Sequence, residues 1–551
     1  MDKGHNYTTV TVHINDKHIG VLIAGAGPSG LMMAAQLLRY GVQPLIIDSK
    51  QGPTTESKAI GVQPRSLEIY RQMGIVDPVI RDGKKAEALT FNRDGKPIAT
   101  FPITNIGEGK TPFPFIELYQ QSKNEKLLLD YLTKNVCPVY WETTLESLKQ
   151  KRDHVEVQLR NNEGAKTITC DWVIGADGAH SVVRKQLNIP FSGETYRHTF
   201  YLADVELDNP DLDDDAISLF MANKGIAGFF PMPESHRFRV IGNLPDSKDD
   251  NRDPQLPDVL PGIIDICKID LQVLKNYWFT IYRLHHRMAE KFSDQHCFLI
   301  GDAAHIHSPV GAQGMNTGLQ DAYNLAWKLA GVVNGQMKPL ILATYAAERM
   351  PVAKSLLSTT DKAFTLIMSN NPLIRLFKKW ALPKVLRWVW RKKTIREAFF
   401  TRVSQIGIAY RDSSISLHMS QSTKIKAGDR LPYLKIFDEK KQEETDLHAW
   451  CTKPGFTLIV LAKLVESDLF TLAKWITQNH PALNFFYLPP SVRNLQVFNA
   501  FEIGENQARS LIVRPDMHIG LMNDKVDMVL MDNYLRNIVG LVSTTQPDSR
   551  Q

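Results

Sequence analysis

A chain of 551 residues with 43% hydrophobic and 23% charged residues is too long for one core, so two to three globular domains are expected and a disordered or fibrous protein is excluded. A formal net charge of +6 is too small to argue for a nucleic-acid partner, and the N-terminus MDKGHNYTTVTVHINDKH lacks the basic-then-apolar pattern of a signal segment. The five cysteines, Cys137, Cys170, Cys267, Cys297 and Cys451, show neither C-x-x-C nor metal-ligand spacing, so no metal is expected and a reducing cytoplasm is the expected location.

The first predicted unit is VLIAGAGPSGLMMAAQLLRYGVQPLIIDSK. An apolar strand runs into Gly25, Gly27 and Gly30, a helix is predicted over Leu31–Arg39, and Asp48 closes a second apolar strand. This is the Rossmann arrangement: the first glycine permits the tight turn, the second lets backbone approach a pyrophosphate, the third allows helix–strand packing, and the acid binds a ribose hydroxyl. It does not separate FAD from NAD. Val21 to Leu38 carries no charge, but its glycines and Pro28 fit the fingerprint rather than a membrane span, and none is predicted.

Asp171 to Leu187, DWVIGADGAHSVVRKQL, reads as another apolar strand ending in Asp177-Gly178, then a helix with Arg184; alone it is an ordinary turn. From about 190 to 290 the pattern is strands and turns, as in FYLADVEL, AGFFPMP and FRVIGNL. Phe298 to Ala330, FLIGDAAHIHSPVGAQGMNTGLQDAYNLAWKLA, then begins with a buried strand that Gly301-Asp302 breaks, and Gly311, Gly314 and Gly318 lead into an amphipathic helix from about Leu319. A helix start against such a loop presents unpaired N–H groups and a positive dipole end to an anion, and Asp302 is a hydrogen-bond acceptor for a polyol chain. His305 and His307 read as capping or core histidines, and no residue is assigned as catalytic acid or base.

Residues 375–396 carry nine lysines and arginines and no acid, around Trp380, Trp388 and Trp390. An amphipathic linking helix with packed tryptophans, interrupted by Pro383, is the favoured reading, with peripheral membrane contact as the alternative. Residues 426–541 read as an independent α/β unit: GFTLIVLAK as strand, DLFTLAKWITQ as helix, SLIVRPDMHIGLM as a hairpin pair. Thr544 to Gln551 reads as a frayed tail.

Together these three motifs, in this order, resemble the FAD-dependent aromatic hydroxylases, and the C-terminal unit, with its R-P-D turn at Arg514 to Asp516, resembles the thioredoxin-like domain of the phenol hydroxylase and aromatic polyketide hydroxylase branch. The resemblance implies an α/β fold with a Rossmann-like FAD domain from residues 17–84, 119–189 and 286–415, a mixed-sheet substrate domain from 85–118 and 190–285, and a thioredoxin-like domain over 426–541 without C-x-x-C. It implies cofactor contacts from Gly25, Gly27, Pro28, Ser29, Gly30, Asp48, Ser49, Lys58, Gln121, Leu145, Asp177, Gly301, Asp302, Pro309, Gly311, Gly314, Met315 and Asn316. Lys58 stands where many relatives have arginine, keeping the charge without the bidentate fork.

Substrate-pocket candidates are Ile60, Arg287, Pro309 and Val310. Ile60 replaces the acid that phenol hydroxylases place before this glycine, which turns the expectation from simple phenol toward a polycyclic phenol, polyketide or antibiotic. The implied reaction is reduction of FAD by NADPH or NADH, addition of molecular oxygen to give a flavin C4a hydroperoxide, and transfer of one oxygen atom to an aromatic ring. A W-x-W is present, but it follows both flavin motifs, which argues against halogenation. An oxidase, dehydrogenase or epoxidase of the same fold, and a non-catalytic flavin-loaded binder, remain alternatives. The sequence does not separate NADPH from NADH, or monomer from homodimer.

Overall fold

Alternating apolar runs and glycine turns build the first sheet. In the computed structural model, which describes residues 12–55, 57–209, 211–222, 225–244, 254–307, 313–368 and 381–542, strand His18–Ala24 is central and wholly buried along Val21–Ile23. Leu45–Ile47 pairs with it in parallel on one side and Gly164–Gly175 on the other, and Cys297–Leu299 pairs in parallel beyond that. Strands buried on both faces need continuous apolar runs, which is why VLIA, LII and CFL carry no alternation. Helices Pro28–Arg39 and Gly314–Val333 lie along each other on this sheet.

The second helix begins at Gly314, five residues before the predicted Leu319, so Gly318 lies inside it. Packing explains that glycine: a Cβ at 318 would stand 2.2 Å from Ser29 Oγ and 3.1 Å from the Cα of Gly301. Helix propensity alone penalises an interior glycine, and close approach overrides it here.

The second large sheet runs in the order His305–Ile306, Gln272–Ala289, Phe191–Asp208, Arg237–Asn243, Gly225–Pro231, Ala216–Ala222, and adds the hairpin Ala88–Arg93 and Lys96–Pro102 at its far edge. Alternate residues face opposite ways. Phe220, Phe229 and Phe238 pack under helix Leu256–Cys267, whereas Ile217 and Met232 join Ile60, Ala86, Ile103 and Leu118 in a separate apolar cluster. The short pairing of His305–Ile306 with Met288 and Arg287 ties this sheet to the glycine-rich motif.

Toward the C-terminus a mixed sheet runs Leu417–Met419, Ile519–Asn523, Arg509–Val513, Thr457–Leu461, Asn484–Leu488, with helix Glu466–Asn479 following Thr457–Leu461. Its faces divide. Ile459, Leu461, Leu511 and Val513 form a local core with Leu431 and Phe501, while Leu458, Val460, Ile512 and Leu521 belong to the core shared with the first sheet. The R-P-D segment lies in that boundary rather than at the surface: Arg514 Nη1 and Nη2 donate to the Glu348 carboxylate at 2.6 and 2.9 Å, and Arg514, Asp516 and Glu348 are all buried. Lys328 donates to the same carboxylate at 2.7 Å. Burial alone would raise the Glu348 pKa, but the Arg514 and Lys328 charges reverse the direction and hold it low.

Among the described residues no helix is long and apolar enough to cross a membrane, and no group of three or more His, Cys, Asp or Glu side chains could hold a metal ion. All five cysteines are buried and free.

Candidate flavin site

Three turns converge at the ends of the parallel strands. Gly25 holds φ +105°, and a Cβ there would stand 2.3 Å from the Ala176 carbonyl oxygen, while one on Gly30 would stand 1.9 Å from the Gly25 oxygen. Gly27, by contrast, faces open space with no atom within 4 Å of a Cβ position. It caps the helix that starts at Pro28, and no side chain satisfies that helix end. An exposed turn backbone followed by uncapped N–H groups is a phosphate cradle. Asp48 accepts from Ala26 N at 2.7 Å and Lys50 N at 2.9 Å, which fixes its carboxylate beside the same turn; Ser49 is exposed next to it.

Asp177, predicted as a cofactor contact, accepts from Ser181 Oγ at 2.5 Å and from Val182 N and Val183 N at 2.7 and 3.1 Å. It therefore caps helix Val182–Gln186, and desolvation raises its pKa against those bonds. Arg184 on that helix donates to Ala303 O at 2.7 Å, joining the second motif to the third.

The third motif is held by a residue that the sequence reading did not single out. Asp321, fully buried in helix Gly314–Val333, accepts from Gly301 N at 3.1 Å, lies 2.7 Å from His305 Nε2 and accepts from Arg349 Nε at 2.7 Å. His305 is thus a core histidine with a carboxylate partner. The His307 ring lies 3.3 Å from where a Gly314 Cβ would stand. Asp302 opens toward the site, yet surrounding protein raises its pKa by desolvation, with His305 and Lys58 pulling it back. The charge of Lys58 thus reaches Asp302, although 244 positions separate the two predicted contacts in the chain.

The loop carrying Lys58 and Ile60 is clamped from three sides. Ala59 N donates to Gln121 Oε1 at 3.2 Å, Gln121 N donates to Ser57 Oγ at 2.7 Å, and buried Arg239, paired with Asp204, donates to Ala59 O at 3.1 Å. Asn316 accepts from Gln63 N and Ser66 Oγ at 2.8 Å each and donates to Gly61 O at 2.9 Å. Its side chain thus fastens the loop to the start of helix Gly314–Val333. Met315 lies beside Asn124, and Leu145 is buried in strand Thr144–Gln150. Of the pocket candidates, Ile60 heads the apolar cluster with Leu118 and Met232. Arg287 donates through Nη2 to Thr195 Oγ1 at 3.1 Å, and its buried Nε has no hydrogen-bond partner among the described residues. Pro309, Val310 and Gly311 lie outside the described residues.

Helix starts at Pro28 and Gly314 whose N-cap residues Gly27 and Gln313 make no side-chain cap among the described residues, an open backbone at Gly27, an acid at the second strand end and a small-residue contact of Ser29 with Gly301 and Gly318 fit a dinucleotide that runs from one helix end to the other. The model of the FAD binding domain family matches residues 18–360. The chain belongs to that family. This flavoprotein is 34% identical over 400 residues to 6-methylpretetramide 4-monooxygenase of Streptomyces rimosus, covering 72% of this chain and 71% of that one. It is 33% identical over 416 residues to pentachlorophenol 4-monooxygenase of Sphingobium chlorophenolicum, covering 75% of each. Its fold matches the ternary complex of aklavinone-11 hydroxylase with FAD and aklavinone at a TM-score of 0.78 and 22% identity, covering 96% of this chain and 100% of that one. The flavoprotein is an FAD-dependent monooxygenase.

Proposed function

We propose that the protein hydroxylates a polycyclic phenol or polyketide-type aromatic, taking electrons from NADPH or NADH and one oxygen atom from molecular oxygen. The observation that carries the substrate class is the cluster of Ile60, Ala86, Ile103, Leu118, Ile217 and Met232, where the second sheet meets the loop beside Lys58. An apolar surround of this kind, with no carboxylate among its members, favours an extended apolar ring system over a small phenol that needs deprotonation. The names of the relatives, a pretetramide and a pentachlorophenol monooxygenase, agree with an aromatic substrate.

Bound FAD, once reduced, supplies the activation of oxygen and its delivery to the ring. The chain's own residues bind, orient and exclude water. The turn at Gly25–Gly30 and Asp48 would hold the pyrophosphate and ribose, Asp302 the ribityl hydroxyls, and the N–H groups at the start of helix Gly314–Val333 the negative edge of the reduced ring, with Lys58 adding positive charge nearby. The remaining cofactor contacts in the site are Ser49, Gln121, Leu145, Asp177, Met315 and Asn316. The apolar cluster keeps the oxygen-transfer region dry. His285 lies among Arg283, Arg287 and His180, and burial with those charges lowers its pKa. That basic group beside the Asp177 turn supports docking of an anionic reductant.

The segments 17–84, 119–189 and 286–415 form the FAD domain in this reading, and 85–118 with 190–285 the substrate domain. The mixed order of the last sheet, with Thr457–Leu461 parallel to Asn484–Leu488 and antiparallel to Arg509–Val513, supports a thioredoxin-like unit over 426–541. Five buried free thiols support a cytoplasmic location.

The test is reductant and oxygen consumption by the flavin-loaded protein across simple phenols and polycyclic phenols, with NADPH and NADH compared. A polycyclic phenol should stimulate consumption well above the ligand-free rate and above phenol. Fast ligand-independent consumption yielding only peroxide would replace the hydroxylase with an oxidase.

A further inference from the structure

We propose that helix Leu382–Arg391, with the turn that follows it, is a docking face for an anionic lipid bilayer. The proposal does not rest on the substrate reading above. The helix has two faces with different partners. On the inner one, the Trp390 ring packs 4.7 Å from Phe101 and 5.5 Å from Phe399, and Arg387 Nε donates to Ile98 O at 3.1 Å, so the helix is fastened to the edge strand Lys96–Pro102 of the second sheet. Its orientation is therefore fixed by packing and not by its own propensity, which a ten-residue helix would not supply.

Among the described residues nothing covers the outer face. Trp388 is 58% exposed and Val385 42% exposed. Lys384, Arg391, Lys392 and Lys393 are all exposed around them. Residues three and four apart share a helix face, so Lys384, Val385, Trp388 and Arg391 form one ridge, and Lys392 follows in the turn after the helix. Lys392 Nζ lies 3.9 Å from the centroid of the Trp388 ring, a cation held over the face of an indole. No acidic residue occurs between Leu382 and Arg396, and the next one, Glu397, is already paired with Lys110 at 3.4 Å and Lys393 at 3.8 Å.

An apolar centre ringed by exposed cations, of which among the described residues only Lys393 has a carboxylate partner, matches the boundary between acyl chains and anionic headgroups. The indole sits at headgroup depth, the lysine stems reach past it, and the charges meet phosphates. A nucleic acid would meet the cations but leave Val385 and Trp388 without an apolar phase. The helix is too short to span a bilayer and would lie flat on one. Trp380 lies outside the described residues, and the other two tryptophans divide the two sequence readings between them: Trp390 is packed as in a linker, and Trp388 is displayed as in a surface anchor. Because Trp390 also packs against the cluster that contains Ile60, Leu118 and Met232, the docked helix would stand between the bilayer and that apolar wall.

The flavin-loaded full chain should co-sediment with vesicles of phosphatidylcholine and phosphatidylglycerol on the order of tenfold more tightly than with phosphatidylcholine alone, and added salt should weaken it. Trp388→Ser, and separately the double change Lys384→Gln with Lys392→Gln, should each lower that binding severalfold while flavin content and ligand-free reductant consumption stay as in the parent. Quenching of tryptophan emission by brominated acyl chains should be largely lost in Trp388→Ser. Failure to bind the anionic vesicles overturns the proposal. So does binding that neither variant weakens, or vesicle binding that an acidic polypeptide or DNA matches without any contribution from Trp388.

Discussion

Glu117 offers the sharpest quantitative test of the packing. It sits in the short strand Glu117–Leu118 with no exposed surface, and neither carboxyl oxygen has a hydrogen-bond partner among the described residues. Burial pushes its pKa from 4.5 up to about 8, with Lys85 opposing. A folded-state pKa above the unfolded one means that the folded chain keeps a proton the unfolded chain has lost. The contribution to stability is therefore complete below about pH 4.5 and is lost as pH rises through about 8. At roughly 1.36 kcal/mol for each pH unit between those values, the full loss is about 5 kcal/mol, and local rearrangement that admits water reduces it to roughly 2–4 kcal/mol. Glu117→Gln keeps the shape and removes the titration. Urea unfolding of the flavin-loaded protein, followed by tryptophan emission, should show parent and variant of similar stability near pH 5 and the variant more stable by that amount near pH 8.5. Parallel curves for the two proteins across this range would refute the assignment of a buried, protonated carboxyl.

Two further changes probe the junctions around the site. Gly318→Ala, which in an isolated helix would add about 1 kcal/mol of stability, instead drives a methyl to 2.2 Å from Ser29 Oγ; flavin affinity should fall at least tenfold by equilibrium dialysis, and undiminished retention would show that the two motifs do not need this contact. Arg514→Met leaves Glu348 buried with Lys328 as its remaining cationic partner at 2.7 Å, so thermal unfolding should reveal a loss of about 3–5 kcal/mol; Glu348→Gln in the same chain should recover part of it, and a simple sum of the two single effects would contradict the coupling.

What the sequence disclosed was local. Glycine spacing, apolar runs and strand-end acids lie within thirty or so residues of each other, and they placed the first strand, the Asp177 turn and the Gly301-Asp302 break where the structure has them. The start of helix Gly314–Val333 was misjudged because Gly318 reads as a helix breaker until Ser29 and Gly301 are seen against it. Asp321 and Arg349 were invisible for another reason. A buried pair is specified by where two helices meet, and neither residue carries a local pattern that separates it from a solvated helix charge. Arg514 and Glu348 are 166 residues apart and look like surface charges in sequence; only the packing of the last sheet on the first turns them into a buried pair. Ile60 was legible as an apolar substitution, but its cluster draws on residues spread from 60 to 232.

The central claim is oxygen transfer to an aromatic ring at the flavin edge. The most direct measurement is turnover of a polycyclic phenol by the flavin-loaded protein under isotopically heavy molecular oxygen, with mass analysis of the product. The account predicts one heavy oxygen atom in the product and none taken from water. An unlabelled product, or heavy peroxide formed with the phenol unchanged, would contradict it.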